Sequence, residues 1–128
     1  MRVFLLPSVP QPHYLPPRSG LYYITAAWLI FYVGKSQNLR QRWRTHHRRR
    51  EFHSLAPFGR IHYRLLPPHQ LTIWEQREIK RLCPPWNYRP NLTDWEKTRL
   101  QITIGLRMAS FVSLVGVAFL SVITVPLR

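Results

Sequence analysis

Two short runs of aromatic and β-branched residues, separated by only three positions, constrain the fold of this chain most. The first run covers residues 21–25 and the second covers residues 29–33. Side chains of this kind are enriched in strands, and so short a gap suits a tight reversal of the chain. The pattern predicts an antiparallel β-hairpin, whose register stays open because the turn contains neither Gly nor Asn.

The segments after the hairpin alternate between helix and strand patterns. Asn38 can cap a helix that runs from Leu39 to about Arg50, with arginines at every fourth position forming a cationic stripe. Residues 61–66 predict a third strand, and residues 72–82 predict a second helix that the following two prolines end. The middle of the chain is therefore expected to be a domain of mixed α and β structure.

The two ends of the chain differ from this middle part. Residues 1–18 are rich in proline and predict an extended arm, and residues 93–107 predict a linker after a domain that covers residues 19–92. Residues 108–125 carry no charge and predict a hydrophobic C-terminal helix long enough to cross a membrane. A buried helix or strand pair is the alternative, because many of these residues are β-branched.

Charge restricts both the partner and the chemistry. The chain has 19 Lys and Arg against five acids, a formal net charge of +14, which predicts nucleic acid or an anionic membrane surface as partner. Five acids leave little for a two-metal site built on clustered carboxylates. Cys83 is the only cysteine, which excludes an internal disulfide and fits a reducing cytoplasm. The spacing of the histidines matches no zinc motif.

Three motifs follow one another at defined separations between residues 19 and 87. They are Gly20-Leu21-Tyr22, then Tyr32-Val33-Gly34 with the next segment through His46, and finally Glu75 with Pro84 and Asn87. In this order and spacing they resemble the GIY-YIG nuclease family, with Leu and Val in two places where Ile is usual. The resemblance implies an α/β (α+β) GIY-YIG fold, in which helices flank a small central antiparallel three-stranded sheet.

The resemblance also implies a function, a metal-dependent endonuclease that hydrolyses nucleic-acid phosphodiester bonds, with DNA as the expected substrate. The residues implied in catalysis are Tyr22, Tyr32, Arg42, His46 and Glu75. Glu75 would ligate a single Mg²⁺ or Mn²⁺ ion, and no small-molecule cofactor is expected. Tyr22 would orient or deprotonate water if cations depress its pKa, with His46 shuttling the proton. The residues expected to contact nucleic acid are Lys35, Arg40, Arg44, Arg48 and Asn87.

Plainer explanations stay open for the chain and for single residues. The chain could be a non-catalytic nucleic-acid-binding module on the same fold, or a basic membrane-surface protein. The tyrosines could be ordinary sheet aromatics, and Glu75 could complete a capping box with Thr72. The expected location of the domain is the cytoplasm, with residues 108–125 as a candidate membrane anchor.

Overall fold

A four-stranded antiparallel sheet forms the centre of the computed structural model, which describes residues 3–88, 98–99, 102–110 and 112. The strands are β1 (Ser8–Val9), β2 (Gly20–Ala26), β3 (Leu29–Ser36) and β4 (Arg60–Leu65), in the spatial order β1-β4-β2-β3. The helices are α1 (Leu39–Arg42), α2 (Arg49–Ser54), α3 (Leu71–Leu82) and α4 (Pro85–Tyr88). The predicted class, an antiparallel sheet flanked by helices, is confirmed.

Strands β2 and β3 form the predicted hairpin. They are joined by Ala27 and Trp28, whose φ angles are 48° and 65°. Positive φ at both turn residues is the conformation of a type I′ turn, which this chain adopts without Gly or Asn. Tyr22 pairs with Gly34, and Ile24 pairs with Tyr32. Because side chains alternate along a strand, Tyr22 and Tyr32 lie on the same face of the sheet.

The two faces of β2 support two separate hydrophobic cores. Tyr22 and Ile24 face a core under α1, α2 and α4, to which Leu39, Trp43, Phe52, Leu55 and Trp86 belong. Leu21 and Tyr23 face a second core, which includes Val33, Leu66 and Leu71 and receives side chains of α3. Because both faces of β2 are covered, every residue of this strand is buried. Strand β2 therefore holds Tyr22 in a fixed position in the candidate site.

The N-terminal arm supplies the fourth strand, which the predicted three-stranded sheet lacks. Ser8 and Val9 pair with His62 and Ile61 of β4, and the Tyr63 N–H donates to the Pro7 carbonyl at 3.0 Å. Prolines precede and follow this short strand, and proline confines a strand to the edge of a sheet. The arm also contains two short 3-10 turns, at Val3–Leu5 and Pro12–Tyr14, rather than being extended throughout.

The predicted continuous helix from Leu39 to about Arg50 is wrong. Helix α1 ends at Arg42 and α2 begins at Arg49. The Nδ1 atom of His46 accepts a hydrogen bond from the Arg48 N–H at 2.9 Å, and this amide would otherwise donate to the carbonyl four residues earlier in a helix. The predicted cap is confirmed, since the Asn38 side chain accepts from the Gln41 N–H at 3.0 Å.

The strand and helix predicted nearer the C-terminus are confirmed to within one residue as β4 and α3. Helix α3 ends where Cys83 adopts the left-handed conformation with a φ of 45°, and two prolines follow. A left-handed residue at a helix end satisfies carbonyls that would otherwise lack partners. This stop directs the chain from α3 into α4, which brings Trp86 and Asn87 back to β3.

The region after α4 is described in part. Residues 98–99, 102–110 and 112 are helical, including the described residues of the predicted linker, and Ile104 is buried in the first core. Within the described ranges, no helix is both long enough and apolar enough to cross a bilayer. Most of the predicted membrane segment, residues 108–125, lies outside the residues that the structure describes.

Candidate active site

The two motif glycines are needed because other atoms approach them closely. A Cβ on Gly34 would lie 2.4 Å from both Cζ and Oη of Tyr22 and 2.8 Å from Cε1 of Tyr32. A Cβ on Gly20 would lie 2.3 Å from the Arg64 carbonyl oxygen of β4. Only glycine allows approaches this close. Gly20 therefore serves the packing of the sheet, whereas Gly34 makes room for two phenol rings.

Four rings lie together on the face of the sheet under α1, and we call them the aromatic cluster: Tyr22, Tyr32, Trp43 and His46. The Tyr22 ring lies 6.0 Å from Tyr32 and 5.8 Å from Trp43 between centroids. Trp43 stacks on His46 at 4.4 Å and 14°. Three of the predicted catalytic residues are thus brought together from β2, β3 and the loop between α1 and α2.

The hydrogen bonds of His46 define its tautomer. Its Nδ1 accepts from the Arg48 N–H and so carries no proton. Burial, together with the nearby His47, Arg42 and Arg48, lowers the pKa of His46 to about 3, which keeps the ring neutral at pH 7. The single proton of the neutral ring is then on Nε2, 2.6 Å from Oη of Tyr22. His46 therefore donates to Tyr22, and the predicted proton shuttle in the opposite direction is wrong for this arrangement.

The predicted depression of the Tyr22 pKa by cationic neighbours is also wrong. Burial raises the pKa of Tyr22 well above its usual range, Tyr32 adds to this, and the Arg42 guanidinium offsets it only in part. Burial likewise raises the pKa of Tyr32. The hydrogen bond with Tyr22 lowers this pKa, and the negative charge of Glu75 raises it. At pH 7 both phenols are neutral, and each keeps a proton that it can donate.

Arg42, the arginine that the family resemblance implies in catalysis, is the last residue of α1 and is half-buried. Its guanidinium is close enough to Tyr22 to hydrogen-bond the phenol and lower its pKa, and its charge also acts on Tyr32 and His46. Because an arginine side chain has donors only, the Tyr22 oxygen has two donors next to it, Arg42 and His46. A planar guanidinium at this position can also bind a phosphate oxygen.

Glu75 extends from α3 toward β3, where Nζ of Lys35 lies 2.9 Å from its Oε2. Lys35 also donates to Oγ1 of Thr72 at 3.0 Å. The N-cap of α3 is Gln70, without a side-chain cap, so Glu75 and Thr72 do not form the capping box considered above. The Glu75 charge raises the pKa of Tyr32, which places this carboxylate within electrostatic reach of the aromatic cluster.

Glu75 offers a cation one carboxylate. Among residues 3–88 and the helical stretches described after them, no three His, Cys, Asp or Glu side chains lie close enough to hold a metal together. A site with one protein carboxylate fits Mg²⁺ or Mn²⁺, which keep several waters and bind substrate phosphates. It does not fit zinc. Lys35 would have to release Glu75 before the carboxylate could ligate an ion.

Arg48 does not fill its predicted role as a phosphate contact. Its side chain is 4% exposed, and it donates to the Trp86 carbonyl and to Oε1 of Glu51. The break between α1 and α2 turns this arginine inward, where its hydrogen bonds connect α4 with α2. Arg40 and Arg44 remain exposed, so two members of the predicted stripe are available to a ligand.

Asn87 is occupied by the backbone of β3. Its Oδ1 accepts from the Val33 N–H at 2.9 Å, and its Nδ2 donates to the Val33 carbonyl at 2.8 Å. The amide thus takes the place of a further strand beside edge strand β3. The predicted contact of Asn87 with nucleic acid is not compatible with these bonds, and the residue instead holds β3 next to Tyr32.

Trp43 packs edge-on against Tyr22 and stacks on His46, although it is not among the residues that the resemblance implies in catalysis. Its indole Nε1–H is buried and has no hydrogen-bond partner among the described residues. In the sequence, Trp43 is marked only by its position three residues before His46. This spacing does not predict that the two rings stack unless the break after α1 is already known.

Comparisons by sequence find no matching protein-family model and no matching curated protein. The coordinates match crystal structures of the GIY-YIG N-terminal endonuclease domain of UvrC from Thermotoga maritima, determined as point mutants bound to the catalytic divalent cation. Two of them have TM-scores of 0.52 at 20% and 19% identity, covering 61% of this chain and 91% of that one. A third has a TM-score of 0.51 at 18% identity, covering 59% and 88%. This chain therefore has the GIY-YIG nuclease fold that its three motifs predict.

Proposed function

We propose that this protein is a metal-dependent endonuclease that hydrolyses phosphodiester bonds in nucleic acid. The observation that carries the proposal is the convergence of Tyr22, Tyr32, Arg42 and His46 on one face of the hairpin, with the Glu75 carboxylate within electrostatic reach. Phosphodiester cleavage needs an oriented water and positive charge beside the phosphoryl oxygens. These side chains can orient the water and supply part of the positive charge.

Tyr22 is proposed to orient the attacking water or a phosphate oxygen as a neutral hydrogen-bond donor. Two donors, from His46 and Arg42, face its oxygen and fix the direction in which its own proton can point. Its raised pKa favours this role over that of a general base at neutral pH. Tyr32, half-buried at the edge strand, is proposed as the second phenol on the same phosphate.

Glu75 is proposed to hold one Mg²⁺ or Mn²⁺ ion. Support comes from the UvrC domains of the same fold, whose crystal structures contain a catalytic divalent cation. When bound, such an ion stabilises charge on the phosphate and on the leaving oxygen. Lys35, once displaced from Glu75, is proposed to contact a phosphate oxygen.

Nucleic acid, with DNA as the expected form, is proposed as the substrate, and the net charge of +14 and the exposed Arg40 and Arg44 support binding of its phosphates. Contacts of this kind bind the phosphate backbone without reading sequence. A non-catalytic nucleic-acid-binding module is the second candidate. The ion pair between Lys35 and Glu75 favours it, because that pair occupies the carboxylate on which a metal would depend.

Nicking of supercoiled plasmid by the full-length chain tests the proposal. Wild type should nick in Mg²⁺ or Mn²⁺ and stop in chelator, whereas Glu75→Gln should bind the plasmid and leave it intact. Gln76→Ala, an exposed neighbour on α3, is the matched control and should nick like wild type. Plasmid binding by wild type without nicking in either metal would replace the proposal with the second candidate.

A further inference from the structure

A cleft of about 670 Å³ lies next to the aromatic cluster, and Trp43 belongs to both. Three parts of the chain build it: the arm at residues 10–13, the α1 segment with Arg40 and Arg44, and α2 with Arg49 and His53. The arm is held in place because Nε of Arg40 donates to the Leu15 carbonyl at 2.8 Å. The cleft therefore lies between three elements, and it includes Arg40 and Arg44, which are proposed above to contact nucleic acid.

The charge of this cleft is positive and is not neutralised locally. Arg40, Arg44 and Arg49 line it and are exposed, and none of the described acidic residues lines it. Each carboxylate in the described part of the chain is paired elsewhere. The pairs are Glu51 with Arg48, Glu75 with Lys35, and Glu78 with Arg81. Three guanidiniums around one cleft suit a ligand with several phosphates.

Rings and apolar surface accompany these arginines. The imidazoles of His13 and His53 are exposed at the cleft, and prolines of the arm complete its wall. Trp43 also lines it, with the buried indole N–H that lacks a partner in the described residues. Cationic grooves combined with ring surfaces are the usual composition of sites for single-stranded nucleic acid, because every base can stack on a ring.

We propose that this cleft binds a single-stranded segment of nucleic acid adjacent to the bond that is cut. The inference deepens the proposed function, on which it rests, by naming the substrate class: nucleic acid with an unpaired strand beside the cleavage site. A cleft of this volume holds about one or two nucleotides. Trp43 joins the two sites, since it lines the cleft and packs against Tyr22 and His46.

Two adjacent arginines on α2 provide a matched pair of variants. Arg49 lines the cleft and Arg50 does not, and both are exposed. Replacing either one with Ala removes the same charge from the same helix. A difference in binding between the two variants therefore reports the position of the guanidinium and not the net charge of the protein.

The experiment measures fluorescence anisotropy of full-length protein in chelator with two ligands, a blunt duplex and the same duplex carrying a short single-stranded extension. Wild type and Arg50→Ala should bind the extended duplex more tightly than the blunt one, and Arg49→Ala should lose about tenfold of that preference, the effect of one charged hydrogen bond. Equal binding of both ligands by wild type, or equal losses in both variants, would overturn the proposal.

This measurement separates the inference from the nuclease proposal because it requires no metal and no cutting. A preference for the extended duplex that depends on Arg49, in a protein that cuts neither plasmid nor the extended duplex in Mg²⁺ or Mn²⁺, would support the cleft and refute the nuclease. Nicking without such a preference would leave the nuclease standing and refute the cleft.

Discussion

Nε2 of His46 lies 2.6 Å from the phenolic oxygen of Tyr22, and the direction of this hydrogen bond is set on the far side of the imidazole by the Arg48 N–H. The contact links the loop between α1 and α2 to the buried strand β2. It also makes Tyr22 an acceptor from His46, so that the proton of the phenol does not point at the imidazole. The hydrogen bond from the Arg48 N–H thus interrupts the predicted helix and also directs Nε2 of His46 toward Tyr22.

Unfolding measured as a function of pH should show the buried neutral state of His46. Its pKa is 6.5 in the ordinary case and about 3 in the folded protein, so between these values only the unfolded chain takes up the proton. Above pH 6.5 the neutral His46 causes no loss of the free energy of unfolding. This free energy should fall as the pH drops from 6.5 toward 3, by at most about 1.4 kcal/mol per pH unit from this group.

Urea titrations of wild type and His46→Gln at several pH values between 4 and 8 provide the comparison. The variant should lose this part of the pH dependence, and His69→Gln, at an exposed position, should retain it. A slope that is unchanged in His46→Gln would mean that His46 is protonated in the folded protein.

Gly34→Ala should disable the site while the fold persists. The added methyl group would lie 2.4 Å from the Tyr22 hydroxyl, so one of the phenols must move. We expect a loss of about 1–3 kcal/mol in the free energy of unfolding and a fall of about 100-fold in cutting rate. Circular dichroism with a single-turnover cleavage assay measures both.

Gly105→Ala is the control for that substitution. Gly105 lies in a helical stretch, and among the described residues no atom outside that stretch lies within 4 Å of an added Cβ, so alanine should stabilise the protein by up to about 1 kcal/mol and leave cutting unchanged. Wild-type cutting by Gly34→Ala would show that the spacing of the two phenols does not matter.

The hairpin, β4 and α3 could be predicted because their information is local. Strand-forming residues mark the hairpin and β4, and a pair of prolines ends α3. The position of Tyr22 and Tyr32 on the same face also follows once the register of the hairpin is known.

The break after Arg42 and the burial of Arg48 could not be predicted in the same way. Arg48 is held by the Trp86 carbonyl, 38 residues along the chain, and its local pattern is that of a solvated cationic stripe. The strand at Ser8–Val9 was missed for a similar reason, since its pairing partner is more than fifty residues away in β4. In each case a tertiary contact overrides the local preference.

Asn87→Ala should reduce stability without weakening nucleic-acid binding. The substitution leaves the N–H and carbonyl of buried Val33 without their partners, which costs about 1–3 kcal/mol for each group that water cannot reach. Thermal unfolding and anisotropy with duplex in chelator measure the two effects. Weaker binding at unchanged stability would restore Asn87 as a nucleic-acid contact.

Lys35→Met should strengthen metal binding by the protein alone. The ammonium competes with a cation for the Glu75 carboxylate, and both side chains are partly exposed, so we expect a gain of about two- to tenfold in Mn²⁺ affinity. Titration calorimetry with Mn²⁺ tests this, with Lys80→Met, an exposed lysine on α3, as the control. A lower affinity in Lys35→Met would mean that Lys35 positions the carboxylate for the metal.

Single-turnover cleavage in Mg²⁺ by Tyr22→Phe and Tyr23→Phe tests the central claim most directly. These neighbours in β2 are both buried, but Tyr22 bonds to His46 whereas Tyr23 donates to Glu78 on the opposite face. The proposed site predicts that Tyr22→Phe loses at least about 100-fold in rate with unchanged DNA affinity, while Tyr23→Phe cuts like wild type. Equal rates for the two variants, or no metal-dependent cutting by wild type, would contradict it.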